Sequence, residues 1–167
     1  MKALSLALLL FISPLWPFGE NPTPGFPYVI VNVESNELAF IDDNQIKGIE
    51  KVATGIGDAT PLGEFTIIVK AKNPYYRKKN IQGGSPENPL GTRWIGFNAK
   101  GTDGRIYGVH GTNQPDSIGK KVSNGCIRMR NEVVEILYEK IPIGTKILVT
   151  NREESFQQLA KEHHAMK

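Results

Sequence analysis

One cysteine and one histidine lie close together in the sequence and could form a nucleophile with its base. Cys126 is the sole cysteine, and His110 is the only histidine outside the C-terminal tail. Nucleophilic chemistry requires a thiolate, which a free thiol with a pKa of about 8.5 supplies only sparsely at neutral pH. A histidine within hydrogen-bond reach raises that supply. The pattern predicts Cys126 as nucleophile and His110 as general base. The alternative is a structural histidine beside an inert buried cysteine.

Glycines adjoin both candidate residues and would let backbone groups approach a reacting atom closely. Residues 107–113 read YGVHGTN, and residues 123–128 read SNGCIR. Attack by a thiol on a carbonyl also needs hydrogen-bond donors for the oxyanion that forms. The backbone amides of Gly125 and Cys126 are the candidate donors.

The N-terminus predicts export. Lys2 precedes an apolar run at residues 3–12, which is typical of a secretory signal and too short for a membrane-spanning helix. We expect residues 1–25 to be a signal peptide or leader with a linker, either cut between Gly19 and Gly25 or retained as a weak anchor. The alternative of a buried helix is disfavoured by the prolines that follow. A lone cysteine in an exported chain cannot form an internal disulfide and indicates a reactive thiol or an intermolecular pairing.

Composition bounds the remaining possibilities. A chain of 167 residues fits one domain with terminal extensions, and its 17 glycines and 11 prolines favour short strands joined by tight turns. A net charge of +3 gives no concentrated nucleic-acid footprint, so no nucleic-acid partner is expected. Because metal-ligand spacing and phosphate-binding loops are not found, we expect neither a metal nor a cofactor.

The pattern along the chain predicts a mostly β single domain with one main helix. Segments rich in strand-forming residues lie at 28–33, 37–41, 46–53, 64–69, 94–98, 105–110 and 146–150. Asn131 is predicted to cap the helix, and Pro142 to follow its end. Residues 73–89 are expected to form a long exposed loop, and residues 152–167 a polar C-terminal tail. The predicted buried face of the helix consists of Val133, Val134, Leu137 and Tyr138.

Three segments together resemble the catalytic domain of the L,D-transpeptidase family. They are HGTN at 110–113, SNGCIR at 123–128, and TPLGEFTI at 60–67, which Thr54 and Gly55 precede. The resemblance covers roughly residues 28–150 and implies a β-sandwich-like catalytic domain at 26–151. It also implies a cysteine transpeptidase that attacks peptidoglycan stem tetrapeptides after their third residue and releases D-alanine. The acyl-enzyme would then pass to an amine of a second stem, so that third residues become cross-linked.

The family pattern assigns roles to individual positions. Cys126 matches the nucleophile, His110 the general base, and Gly111 the residue whose backbone carbonyl orients the histidine. Many members have a histidine where this chain has Asn124, and we expect that asparagine to act only through hydrogen bonds. The positions matching the substrate-pocket or oxyanion motif are Ser123, Asn124, Gly125 and Arg128.

Several of these residues have two possible roles. Arg128 is a fixed cation for a carboxylate-rich substrate or an ordinary surface arginine. Residues 75–79 (YYRKK) form either a loop over the site or a solvated basic loop. Three aromatic residues near the motifs are more typical of a core than of a groove wall: Trp94, Phe97 and Tyr107.

The resemblance implies donor and acceptor stem peptides as partners, carbapenems as covalent inhibitors, a monomer, and a place outside the cytoplasm at the cell wall. Two alternative functions stay open: an L,D-carboxypeptidase or wall peptidase on the same scaffold, and a non-catalytic wall-binding module. A papain-like peptidase is disfavoured because its cysteine precedes its histidine, whereas here His110 comes before Cys126.

Overall fold

The computed structural model describes residues 26–167, so the predicted leader lies outside the described part of the chain. Ten strands and two α-helices follow one another along it. The strands are β1 (Tyr28–Asn32), β2 (Glu37–Asp42), β3 (Gln45–Lys51), β4 (Thr54–Gly55), β5 (Gly63–Lys72), β6 (Arg93–Phe97), β7 (Tyr107–His110), β8 (Lys121–Ser123), β9 (Ile127–Arg128) and β10 (Lys146–Thr150). The helices are α1 (Asn131–Lys140) and α2 (Phe156–Glu162).

Eight strands form one curled sheet in the order β3-β2-β1-β10-β5-β6-β7-β9. Two neighbouring pairs are parallel, β1 with β10 and β7 with β9, and the other pairs are antiparallel. A register shift between Ile67 and Val69 bends β5, the strand shared by the two halves of the sheet. Strands β4 and β8 form a separate parallel pair. The prediction of a mostly β domain with one main helix is confirmed.

Both faces of the sheet near β1 are covered, which explains why all five residues of this strand are buried. The larger core cluster includes Val29, Val31 and Phe97 and also takes in Val134 and Leu137 of α1. The smaller cluster on the opposite face packs Tyr28 and Ile30 against α2 of the tail. The tail predicted as polar thus contributes three residues to this second core: Leu159, Ala160 and Ala165.

Helix α1 has the predicted buried face but a different N-terminus. Val134 and Leu137 are buried, and the helix packs against β6 and β7. The cap position is occupied by Arg130, which makes no side-chain cap hydrogen bond, and Asn131 is the first helical residue. The prediction of Asn131 as the cap is therefore wrong, because its amide has partners outside the helix.

The predicted loop at 73–89 is largely exposed but has internal order. A bridge joins Tyr76 to Ile81 around a 3₁₀ turn at Arg77–Lys79. Asn88 is buried and donates to the carbonyls of Pro74 and Gln82. Within residues 26–167, neither α-helix has the length and apolar character needed to cross a bilayer.

Candidate active site

The parallel pairing of β7 with β9 brings the two chemical motifs together. Val109 pairs with Ile127, and His110 pairs with Arg128. Cys126 immediately precedes β9, and a hydrogen bond from the backbone of Gly108 acts on its thiol. The candidate nucleophile and base therefore lie on neighbouring strands of the same sheet edge.

The imidazole of His110 is held on two sides. Its Nδ1 lies 2.5 Å from the carbonyl oxygen of Gly111. Because a carbonyl only accepts, Nδ1 carries the hydrogen and Nε2 carries the lone pair. The ring stacks on Trp94, with centroids 5.6 Å apart and planes inclined by 18°. The indole is anchored in turn by donation to the Gly104 carbonyl at 2.8 Å. This arrangement leaves Nε2 as the basic nitrogen.

Burial keeps the candidate pair uncharged at rest. It lowers the pKa of His110 to about 4, although hydrogen bonds to the backbone of Gly111 and Leu90 oppose this effect. Burial also raises the pKa of the Cys126 thiol. A hydrogen bond from the Gly108 backbone and the positive charges of Lys78 and Arg128 oppose this rise. The resting site thus holds a thiol and a neutral imidazole, so the thiolate has to form as its proton is transferred.

The thiol has a different hydrogen-bond partner in this structure. The Sγ atom of Cys126 donates to the carbonyl oxygen of Ile106 at 3.2 Å. A thiol has one hydrogen, so it must leave the Ile106 carbonyl before His110 can accept its proton. In this structure the thiol therefore donates to a backbone carbonyl and not to its candidate base.

Ser123 shapes the turn that presents the nucleophile. Its hydroxyl donates to the Cys126 carbonyl at 2.6 Å and accepts from the Gly125 N–H at 3.0 Å. Gly125 has a φ of +125°, and a Cβ there would lie 2.6 Å from the Ala59 carbonyl oxygen. A side chain would therefore clash as well as strain the backbone. The Gly125 amide, one of the two candidate oxyanion donors, is engaged with Ser123 in this structure.

The short pair β4–β8 brings the upstream motif to the same turn. The N–H of Ile56 donates to the Ser123 carbonyl at 3.0 Å. The Gly55 N–H donates to Oγ1 of Thr60 at 2.8 Å, which closes the intervening loop. These contacts place the segment containing Ala59 beside Gly125, so the three sequence motifs form one structural unit.

Arg128 lies at an open cleft of about 530 Å³ beside the motif turn. Its guanidinium donates to Oε1 of the exposed Gln114 at 3.0 Å. Lys120 lines the same cleft, and Asp116 is the acidic residue of the lining. The position of Arg128 in this cleft, beside a second cation, favours its anion-binding reading. Asn124 is exposed at the outer side of the turn.

The aromatic residues divide between the core and the site. Phe97 is fully buried, and Trp94 is 7% exposed, as the core reading predicts. Tyr107 is partly buried and lies against the Gly125 turn. The support that Trp94 gives to His110 is not evident from sequence. The sequence feature that relates to it is a pair of glycines, Gly96 and Gly108, which lie opposite each other and leave room for the indole.

The basic segment at 75–79 lies within electrostatic reach of the nucleophile. Burial raises the pKa of Cys126, and the positive charge of Lys78 opposes part of that rise. This interaction favours the reading of a loop over the site. A second cleft of about 440 Å³ lies between residues 84–92, residues 112–115 and the start of α1. Asn113 and Pro115 line both clefts.

Comparisons with known proteins identify the family of the chain. A family model described as the L,D-transpeptidase catalytic domain (YkuD) matches residues 27–149. A protein of Bacillus subtilis (strain 168) with the provisional name L,D-transpeptidase YqjB is 60% identical, over 99% of this chain and 95% of its own length.

Solved structures share the fold. An L,D-transpeptidase from Mycobacterium smegmatis matches with a TM-score of 0.60 and 21% identity, over 74% of this chain and 58% of its own. L,D-transpeptidase 3 from Mycobacterium tuberculosis, in complex with a faropenem-derived adduct, matches with a TM-score of 0.58 and 18% identity, over 74% of this chain and 60% of its own. This chain thus spans less than two thirds of both solved chains, and at these identities the likeness concerns the fold alone.

Proposed function

Because this chain belongs to the L,D-transpeptidase catalytic-domain family, we propose that it cross-links peptidoglycan stem peptides through a cysteinyl acyl-enzyme. The observation that carries the proposal is the site at the β7–β9 edge. There, a neutral histidine oriented by the Gly111 carbonyl lies on the strand next to the chain's only thiol.

The first half-reaction acylates the enzyme. The Cys126 thiol leaves the Ile106 carbonyl and gives its proton to Nε2 of His110. At the same time its sulfur attacks the carbonyl carbon of the third stem residue. The carbonyl electrons move to oxygen, which needs nearby N–H donors such as the Cys126 amide. Collapse of this intermediate breaks the C–N bond, and the imidazolium returns its proton to the departing amine of D-alanine. A thioester on Cys126 is left.

The second half-reaction transfers the acyl group. The side-chain amine of an acceptor stem attacks the thioester carbonyl, and His110 accepts the proton that this amine loses. Breaking the C–S bond releases the thiolate, which regains the proton from the imidazolium. A new amide then joins the two stems, and the enzyme returns to its starting state.

Arg128 is the proposed carboxylate anchor. Its guanidinium donates to Gln114 and lines the open cleft, and Lys120 adds a second positive charge there. Stem peptides carry carboxylates that a planar guanidinium can bind with two hydrogen bonds. The cleft therefore suits a donor or acceptor stem that lies across the motif turn.

Mass spectrometry of the purified protein incubated with disaccharide-tetrapeptide tests the reaction. The expected product is a dimer linked between third residues, with one D-alanine released per link. The Cys126→Ser variant should form none. Tripeptide without dimer would show that water is the acceptor and the enzyme a carboxypeptidase. Unchanged substrate with a folded sample would favour a non-catalytic wall-binding module.

We also propose that the protein acts outside the cytoplasm as a monomer. The signal-like sequence at residues 1–12, which precedes the described domain, supports export. Cell fractionation with an antibody to the domain, and light scattering of the purified protein, are the direct measurements. A cytoplasmic pool alone would contradict export, and a stable dimer would contradict the monomer.

A further inference from the structure

The side-chain amide of Asn131 binds backbone groups outside its own helix. Its Oδ1 accepts from the N–H groups of Thr112 at 3.1 Å and Thr92 at 3.3 Å. Its Nδ2 donates to the Thr112 carbonyl at 3.1 Å. Three hydrogen bonds thus connect the first residue of α1 to Thr112, two positions after His110, and to Thr92, just before β6.

The amide also fits a space that two glycines create. A Cβ on Gly111 would lie 2.1 Å from Oδ1 of Asn131, and a Cβ on Gly91 would lie 2.2 Å from it. Gly91 has a φ of +61°, so its backbone conformation also suits glycine. The oxygen of Asn131 is therefore held closely by the chain on both sides, with little freedom to move.

The contact of Asn131 with Thr112 involves the same peptide unit as the hydrogen-bond partner of His110, the Gly111 carbonyl. The N–H of Thr112 and the carbonyl of Gly111 belong to the same peptide unit, which is planar and points these two groups in opposite directions. Asn131 holds the N–H at one edge of this plane, and His110 Nδ1 lies 2.5 Å from the carbonyl oxygen at the other. Rotating the plane would break both contacts together.

We propose that Asn131 is a positioning residue for His110, because it locks the Gly111–Thr112 peptide plane and so sets which ring nitrogen carries the hydrogen. With the plane locked, the Gly111 carbonyl retains the hydrogen on Nδ1 and leaves Nε2 basic. With the plane free, the imidazole loses this preference and its orientation. The role in turnover rests on the proposed function, whereas the effect on the imidazole does not.

The test compares two asparagines that make the same kinds of bond. Asn32 lies at the end of β1, and its amide accepts from the N–H groups of Glu34 and Ser35 and donates to the Arg152 carbonyl. The variants Asn131→Ala and Asn32→Ala each remove three hydrogen bonds to backbone. Only the first should change the chemistry of His110.

Two measurements separate positioning from stability. Long-range ¹H–¹⁵N correlation spectra report which ring nitrogen of His110 is protonated, with assignment by a His110→Gln variant. We expect the Nδ1–H form to dominate in the wild type and in Asn32→Ala, and to give way to a mixture in Asn131→Ala. Cross-linking kcat should fall about 10- to 100-fold in Asn131→Ala, with KM within about twofold. Asn32→Ala should keep kcat, whatever its thermal stability.

The conservative variant Asn131→Asp covers the case in which the alanine variant does not fold. Aspartate keeps both accepted bonds but places an oxygen against the Thr112 carbonyl, so its kcat and Nδ1–H population should fall between those of wild type and alanine. Equal tautomer populations in Asn131→Ala and wild type would overturn the proposal. The proposal would also be overturned if kcat and the Nδ1–H population in Asn131→Asp were no higher than in a folded Asn131→Ala variant. If the wild type has no cross-linking activity, the spectra alone still decide.

Discussion

The two histidines that make contacts across the fold, His110 and His163, have opposite kinds of partner. His110 is buried at the β7–β9 edge, where a neutral backbone carbonyl accepts from its Nδ1. His163 follows α2, and its Nδ1 lies 2.9 Å from the Glu64 carboxylate, to which the Tyr28 hydroxyl also donates at 2.5 Å. A carbonyl orients an imidazole without adding a full charge, whereas a carboxylate places a negative charge beside the ring.

The difference separates a base from an anchor. A histidine that has to accept a proton during turnover must be neutral at rest, and burial lowers the pKa of His110 to about 4. Burial raises the pKa of Glu64, but hydrogen bonds from Tyr28 and His163 outweigh it and give a net lowering. The carboxylate therefore stays ionised and joins the tail to β1 and β5. The same type of side chain thus has the environment of a candidate base at His110 and that of an anchor for the tail at His163.

Removing each imidazole should give the largest contrast. Acylation by imipenem, whose strained ring carbonyl replaces the scissile amide, should slow by about 1000-fold or more in His110→Ala, because the thiol loses its base. His163→Ala should react within about twofold of wild type. Stopped-flow fluorescence with mass spectrometry of the Cys126 adduct measures both rates. An unchanged rate in His110→Ala would show that His110 is not the base.

The tail should matter to stability and not to chemistry. Leu159 of α2 is fully buried in the smaller core cluster, so Leu159→Ala should lower the free energy of unfolding by about 2–5 kcal/mol. Its imipenem acylation rate per folded molecule should stay that of wild type. Urea denaturation and the acylation assay test the two parts. A large loss of rate at full folding would mean that the tail couples to the site.

The two histidine environments also predict different pH windows. His110 has a folded-state pKa of about 4 against 6.5 when unfolded, so the unfolded chain binds more protons between these values. Stability should fall by about 3 kcal/mol as pH drops from 6.5 to 4, and this part should vanish in His110→Gln. Glu64 contributes stability above its unfolded pKa of 4.5, which is lost only as pH falls through its lowered folded value. Urea titrations from pH 7 to pH 3 should therefore show His110→Gln flattening the upper window and Glu64→Gln the lower one.

Asn124 should give the smallest effect. Asn124 is exposed, and the Ser123 hydrogen bonds that shape the motif turn are made to Gly125 and Cys126. Asn124→Ala should keep kcat/KM for cross-linking within about tenfold, consistent with hydrogen bonding alone. Less than a hundredth of wild-type activity would contradict that role and indicate a direct part in proton transfer or substrate binding.

The residues of this site that could be predicted from the sequence lie in short contiguous motifs. His110, Cys126 and the strand ending at His110 are evident because their neighbours along the chain define them. The helix face around Leu137 is likewise a local periodic signal. Fold class followed from the same strand and helix patterns.

What escaped prediction depends on partners distant in sequence. Asn131 has the residue type and position of a helix cap, and only the folded chain brings Thr92 and Thr112 to its amide. Strands β4, β8 and β9 have two or three residues each, too few for an alternating pattern. The buried positions of α2 are few and lie among polar residues, so the sequence predicted only a polar tail.

The position of β10 also constrains how the chain acquires its structure. This strand lies between β1 and β5, so it joins the segment β3-β2-β1 to the segment β5-β6-β7-β9. Until residues 146–150 are available, the two segments lack their shared neighbour, and the sheet stays divided. Contacts between the first and last strands span most of the domain sequence, which slows folding. A nascent chain of this topology therefore cannot complete the sheet until residues 146–150 have been synthesised.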